Sequence, residues 1–375
     1  MSAGGDGVPP VGGGLPPPVG LDELRSRIDE ADREIQAVIA RRAALALEVA
    51  RAKREAGAEE DFYRPEREAE ILRRVVERNA GPLDDGTLVQ LFREIISACL
   101  ALQKPPHVAF LGPAGTFTQE AALKHFGHSA RTLPFDTIEG VFREVTSGAA
   151  HYGVVPVENS TEGVVSHTLD MFMQSSLQIC GEIGLPIHHF LLSREASLAG
   201  VRRVYSHYQS LAQCRKWLDE HLPRPERVGV ASNAEAARLA SVEPGTAAIA
   251  GEVAAHLYGL GTLAANIEDE PENTTRFLVV GRRAVPPTGA DKTSLMLAAR
   301  NQPGALYELL DPFSRHGINM TRIESRPSRR GKWDYVFFVD VDGHAQDPNL
   351  AGALREVSER SAVFKVLGSY PRMIL

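Results

Sequence analysis

The chain has 375 residues, 43% hydrophobic and 24% charged, the make-up of a globular protein large enough for two or three domains. A formal charge of -7 provides no global basic field for nucleic acid, and no apolar run approaches the roughly 20 residues of a membrane span. The three cysteines, Cys99, Cys180 and Cys214, lack CxxC spacing, which argues against a metal site or a disulfide framework and for a reducing cytoplasm.

Residues 1–20 are rich in Gly and Pro, with neither a cationic start nor an apolar core. They read as a disordered leader, not a secretory signal. Residues 21–104 read as helical. Leu24, Ile28, Ile35, Val38, Leu45 and Val49 recur at helical spacing, with Asp22 as N-cap and Gly57 as stop. So long a helix exposes its stripe unless it packs on other helices or a second copy. Pro65 opens a second helix ending near Gly81, and "TLVQLFREIISACLALQ" forms a third. Arg42 and Lys53 are eleven positions apart, about three helical turns, so they share a face. Arg42 falls on the apolar stripe, where a guanidinium needs an anion. Arg25 lies about 100° round the helix, so it meets the same ligand only from a symmetric second copy. The plain alternative is a set of solvated or glutamate-paired arginines.

From residue 107 to 282, short apolar runs alternate with amphipathic helices, which predicts α/β layers on a mostly parallel sheet. Thr116 and Gln119 fit a capping box at the Gly-rich turn of "VAFLGPAGTFTQEAA"; it is neither a P-loop nor a dinucleotide fingerprint. In "VPVENSTEG", Glu158, Asn159, Ser160 and Thr161 follow a strand directly, where ligands bind in α/β folds, or where a turn is capped. Ser206, His207, Gln209 and Gln213 follow another in "YSHYQSLAQC". In "PENTTRFLVVG", Thr274, Thr275 and Arg276 stand at the mouth of a strand, as a polar turn or as a proton donor beside an anion clamp. After the linker "RRAVPPTGADK", residues 292–375 read βαββαβ, the ferredoxin-like order. There Gly304 opens a helix and Glu324 and Arg326 end a strand, as an anion site or as a loop junction and surface ion pair.

Together these stretches resemble the bifunctional chorismate mutase–prephenate dehydratase family with a C-terminal ACT domain. "LRSRIDEADREI", "VARAK" and "FYRPEREAEIL" are similar to the all-helical chorismate mutases. That resemblance implies an intertwined three-helix dimer in which Arg25 of a second copy, Arg42 and Lys53 hold the substrate carboxylates and ether oxygen. It further implies Arg67 as a substrate-binding residue, Glu68 at the ring hydroxyl, Gln103 at the ether oxygen, and Cys99 where some members carry serine. "GPAGTFTQEAA", "VPVENSTEG", "YSHYQSLAQC" and "NTTRFLVV" resemble prephenate dehydratase, which implies two α/β lobes like a periplasmic binding protein. Thr275 is then catalytic, and Glu158, Asn159, Ser160, Thr161, Gln213 and Arg276 bind substrate. The tail resembles an ACT domain, which implies phenylalanine bound at Asn301, Gly304, Ala305, Leu306, Glu324, Ser325, Arg326 and Pro327. The implied partners are chorismate, prephenate and phenylalanine, with no cofactor or metal, in a homodimer or dimer of dimers. Two other readings remain at this stage: a dehydratase whose helical segment only dimerises or regulates, and a non-catalytic amino-acid sensor.

Overall fold

A computed structural model describes residues 20–57, 63–299, 302–327 and 335–374. Three helices come first. Leu21–Glu55 is 35 residues long and starts behind Gly20; Asp22 lies in its first turn instead of capping it, where an acid favours the helix dipole. It ends at Glu55, and Gly57, the expected stop, has a left-handed φ of 70°. Pro65–Glu77 has proline at its first position, and Asp85–Ala101 is capped by Asp84, which accepts from the Thr87 N–H at 2.9 Å. The second and third helices pack around Leu72, Val89 and Ile96. The first helix fully buries only Ala50 and leaves Leu24, Ile28, Ile35, Val38, Leu45 and Val49 exposed.

The α/β segment divides into two lobes. In the first, His107–Leu111 pairs in parallel with Arg131–Phe135 and Tyr152–Asn159. Thr274–Gly281 lies antiparallel between Tyr152–Asn159 and Gln178–Pro186, and the short Gly163–Val164 strand closes back on the end of Tyr152–Asn159. The second sheet runs Gly261–Ala264, Phe190–Ser193, Thr246–Ala250, Arg203–His207, Glu226–Val230. The chain leaves the first lobe after Pro186 and returns before Thr274, so two crossings join the lobes. Both sheets are mixed, a correction to the mostly parallel expectation. Strands that re-enter a lobe without a crossover helix pair antiparallel.

The last domain has the βαββαβ order: Asp291–Ala298, Ala305–Arg315, Met320–Pro327, Tyr335–Asp342, Pro348–Arg360, Val363–Pro371. Met320–Pro327 and Val363–Pro371 are the edge strands of its four-stranded sheet. Leu295, Leu297, Leu309, Phe313 and Leu354 form the core under its helices. The other sheet face packs on the first lobe, where Met296, Phe338, Leu367 and Tyr370 share a core with Val155, Phe172, Ile179 and Leu278. The backbones meet so closely that a Cβ on Gly368 would lie 2.2 Å from the Ile179 carbonyl oxygen. The tail continues to the helices, where Ile374 joins their core. Among the described residues no helix is long and apolar enough to cross a membrane.

Candidate active sites and effector region

The helices and the linker after the α/β lobes enclose a cavity of about 960 Å3, lined by Arg42, Lys53, Arg67, Glu68, Cys99 and Gln103. Its apolar wall is Leu45, Val49, Ile71, Phe92, Ile96 and Leu100. Arg64, Glu66 and Glu70 also line it, so cations, carboxylates and hydrocarbon together suit a compact carboxylate ligand that also bears a hydroxyl. Glu68 is 8% exposed, and Arg93 Nε donates to its Oε1 at 3.3 Å. Burial raises its carboxyl above the ordinary value, against the Arg93 guanidinium. A carboxyl so placed suits a hydrogen bond to a ligand hydroxyl. Arg42 Nη1 donates to the Ile95 carbonyl at 3.5 Å, and Arg67 pairs with Glu70. Arg25 is exposed, pairs with Asp22 at 3.4 Å, and does not line the cavity within one copy. Pro287 and Thr288 complete the wall from the far linker, and nothing in the local sequence marks them. Arg73 holds that linker, donating to the Thr288 carbonyl and hydroxyl at 2.7 Å each and to the Ala290 carbonyl at 3.0 Å.

A second polar centre opens at the hinge of the two lobes. Asn159 Nδ2 donates to Thr275 Oγ1 at 2.7 Å and to Asn273 Oδ1 at 2.8 Å. Its Oδ1 accepts from the N–H groups of Thr161 and Glu162 at 3.0 and 2.9 Å, which fixes the amide orientation. The Thr275 hydroxyl therefore accepts in this bond and keeps its own hydrogen for a ligand. Ser160 Oγ donates to Asn273 Oδ1 at 3.3 Å and accepts from the Thr274 N–H at 3.0 Å. From the second lobe, Gln209 and Gln213 Nε2 donate to Glu162 at 3.3 and 3.4 Å, tying the loop after Asn159 across the cleft. Gln213 Oε1 meets His189 Nε2 at 2.9 Å. Burial depresses the His189 pKa, with the Gln213 bond and Glu268 opposing. Asn273 and Glu162 lie inside the stretches NTTRFLVV and VPVENSTEG without being singled out there as site residues, and no local pattern marks His189. Ser206 is committed to Asn233 Oδ1 and the Ile249 carbonyl, at 2.9 Å each. The expected Thr116–Gln119 capping box does not form: no side chain caps the helix, Gln119 Oε1 accepts from the Gly115 N–H one residue before the cap, and Thr116 donates to the Leu111 and Pro113 carbonyls.

Two expected members of this centre lie elsewhere. Arg276 and Glu158 project from the opposite side of the strand pair, toward the last domain. Arg276 Nη1 donates to Asp340 at 2.7 Å, and Glu158 accepts from Arg322 Nε at 2.8 Å. Side chains alternate faces along a strand, so the neighbour of an inward Thr275 points outward.

In the last domain Gly304 has a left-handed φ of 84° and opens the helix that begins Ala305, Leu306. Glu324, Ser325, Arg326 and Pro327 end the edge strand. Arg326 turns to the first lobe instead, bonding Ser166 and reaching Asp170 at 3.2 Å. Asn301 lies outside the described residues.

A charged cavity among the helices and a hydroxyl centre where two lobes meet make this chain an enzyme architecture with two centres and an attached ferredoxin-like domain. Models of three families match it: chorismate mutase type II over residues 24–104, prephenate dehydratase over 108–285, and the ACT domain over 293–359. A bifunctional chorismate mutase/prephenate dehydratase of Stutzerimonas stutzeri is 56% identical, covering 95% of this chain and 98% of that protein. One of Pseudomonas aeruginosa is 54% identical over the same shares. The prephenate dehydratase of Arthrobacter aurescens, solved in complex with L-Phe, is 38% identical with a TM-score of 0.66, covering 71% of this chain and 90% of that one. The chain belongs to the family of bifunctional chorismate mutase/prephenate dehydratases. The match runs through the helices, which favours two activities over a dehydratase with a helical dimerisation module.

Proposed function

We propose that the helical cavity rearranges chorismate to prephenate and that the interlobe centre converts prephenate to phenylpyruvate, CO2 and water, over domains spanning 21–104, 107–282 and 292–375. The first reaction needs a compact conformer and positive charge where the breaking C–O bond gathers electrons. Arg42, Lys53 and Arg67 hold the carboxylates, Lys53 and Gln103 face the ether oxygen, Glu68 takes the ring hydroxyl, and Cys99 lends a weak donor. Arg25 enters from a second copy, because the bare stripe of the first helix needs one. A homodimer follows, and pairing of dimers is compatible with the free edge strand Met320–Pro327.

In the second reaction the carboxylate carbon leaves as CO2, its bonding electrons enter the ring, and the ring C–O bond breaks. The departing hydroxide takes a proton and leaves as water. Thr275 relays that proton to the hydroxyl. Asn159 orients Thr275, and Ser160, Thr161 and Gln213 surround the remaining polar groups. The hydrogen bond from a fixed Asn159 amide to Thr275 Oγ1 carries this reading, since it leaves the threonine hydrogen free. Phenylalanine acts at the segment from Gly304 to Leu306 and at Glu324, Ser325 and Pro327, and favours a less competent cleft. The cytoplasm suits three free, buried cysteines.

Thr275→Val keeps the shape and removes the hydroxyl. On prephenate it lowers kcat by about 100-fold or more with an unchanged thermal midpoint. Turnover within about threefold of the unaltered chain sinks the assignment.

A further inference from the structure

Thr275 stands opposite Asn159 in the strand pair, and Arg276 stands opposite Glu158. Directly opposed residues share a face, so one pair belongs to the cleft and the next to the back of the sheet. The ACT domain covers that back. Arg276 donates through Nη1 to Asp340 Oδ2 at 2.7 Å, through Nη2 to the Tyr370 hydroxyl at 3.2 Å and through Nε to Glu182 at 3.0 Å. Ser294 Oγ donates to Asp340 Oδ1 at 2.6 Å and meets the Tyr370 hydroxyl at 2.8 Å. Lys292 Nζ reaches both Glu182 oxygens, at 2.7 and 2.8 Å. One strand over, Glu158 accepts from Arg322 Nε at 2.8 Å.

Docking alone does not call for these ions. The apolar contact of Met296, Phe338, Leu367 and Tyr370 with the lobe supplies adhesion, whereas removing charges from water costs free energy. What the ions add is register: a guanidinium held by three partners fixes its strand to within a hydrogen-bond length. The strand so fixed carries Thr275 one residue away, and its neighbour carries Asn159 beside Glu158.

We propose that Arg276 and Glu158 are positioning residues for the dehydratase centre. They lock the backs of its two strands to Asp340 and Arg322 of the ACT sheet, so that a shift of that sheet changes the Thr275–Asn159 geometry. The proposal rests on the assignment of that centre to dehydration, which Thr275→Val tests separately in the same assay.

The test uses the full chain with prephenate as substrate. Glu158→Arg and Arg322→Glu each lower kcat about tenfold with KM within about twofold, and the double reversal, which restores opposite charges, returns kcat to within about threefold of the unaltered chain. Asp340→Asn preserves shape and folding, weakens the hold on Arg276, and likewise lowers kcat about tenfold at constant KM. A residue that serves only docking changes the thermal midpoint and not this split. Unaltered kcat in Asp340→Asn and in both single reversals overturns the proposal. So does a double reversal no faster than the slower single.

Discussion

Asn159 is oriented before any substrate arrives. Its oxygen is occupied by the Thr161 and Glu162 N–H groups, so its nitrogen must face Thr275 and Asn273. Asn159→Asp replaces that donor by a carboxylate against a threonine acceptor. It lowers prephenate kcat by about 100-fold, while a retained far-ultraviolet spectrum shows the fold intact. A second residue-scale effect concerns the hinge. Glu120, in the helix Phe117–Phe126 of the first lobe, is pushed up to about 7 by burial and by Glu252 of the second lobe, with His188 and Lys124 opposing. Below its unfolded pKa of 4.5 the carboxyl is neutral in both states and no penalty arises. Between there and about 7 the folded state keeps a proton that the unfolded chain loses, so stability falls as pH rises. Glu120→Gln therefore raises the melting temperature at pH 8 and leaves it unchanged at pH 4. Calorimetry at both values decides; an equal gain at both contradicts the assignment.

At the scale of elements, period governs what was legible. The first helix announced itself through its 3.6-residue stripe, and the same geometry brought Arg42 and Lys53 to one cavity. The stripe also implied a second copy, and the exposed Ile28 and Ile35 bear out the geometry on which that rests. Covering one such side chain is worth about 1.5–3 kcal/mol. Ile28→Asp with Ile35→Asp should yield a smaller species in sedimentation velocity that has lost mutase activity and keeps dehydratase activity. An unchanged sedimentation coefficient places the interface elsewhere. The strand Thr274–Gly281 taught the opposite lesson. Thr275 and Arg276 are adjacent in sequence and were grouped in one site, yet the period of two sends them to different domains. The short strands Arg131–Phe135 and Phe190–Ser193 carry little pattern of their own and are placed by the neighbours they pair with.

Across the whole molecule, three units share buried surfaces that no local pattern encodes. Tyr63, at the end of the helical segment's first connection, is buried among Phe126, Tyr152 and Cys180 of the first lobe. Pro287 and Thr288 wall the helical cavity from the far linker, and Ile374 joins the helical core from the tail. Gly368 permits the backbone contact with Ile179 that seats the ACT sheet. Gly368→Val lifts that sheet from the lobe, which limited proteolysis reads as faster cleavage near residues 282–291; an unchanged digestion pattern contradicts this seating. Two centres acting in sequence on one chain make chorismate the decisive substrate. The most direct test supplies the purified protein with chorismate alone and quantifies prephenate and phenylpyruvate over time. The unaltered chain yields phenylpyruvate, Thr275→Ala stops at prephenate, and added prephenate restores phenylpyruvate formation in Arg42→Ala. Undiminished phenylpyruvate formation in Thr275→Ala, or none from the unaltered chain, contradicts two centres acting in sequence.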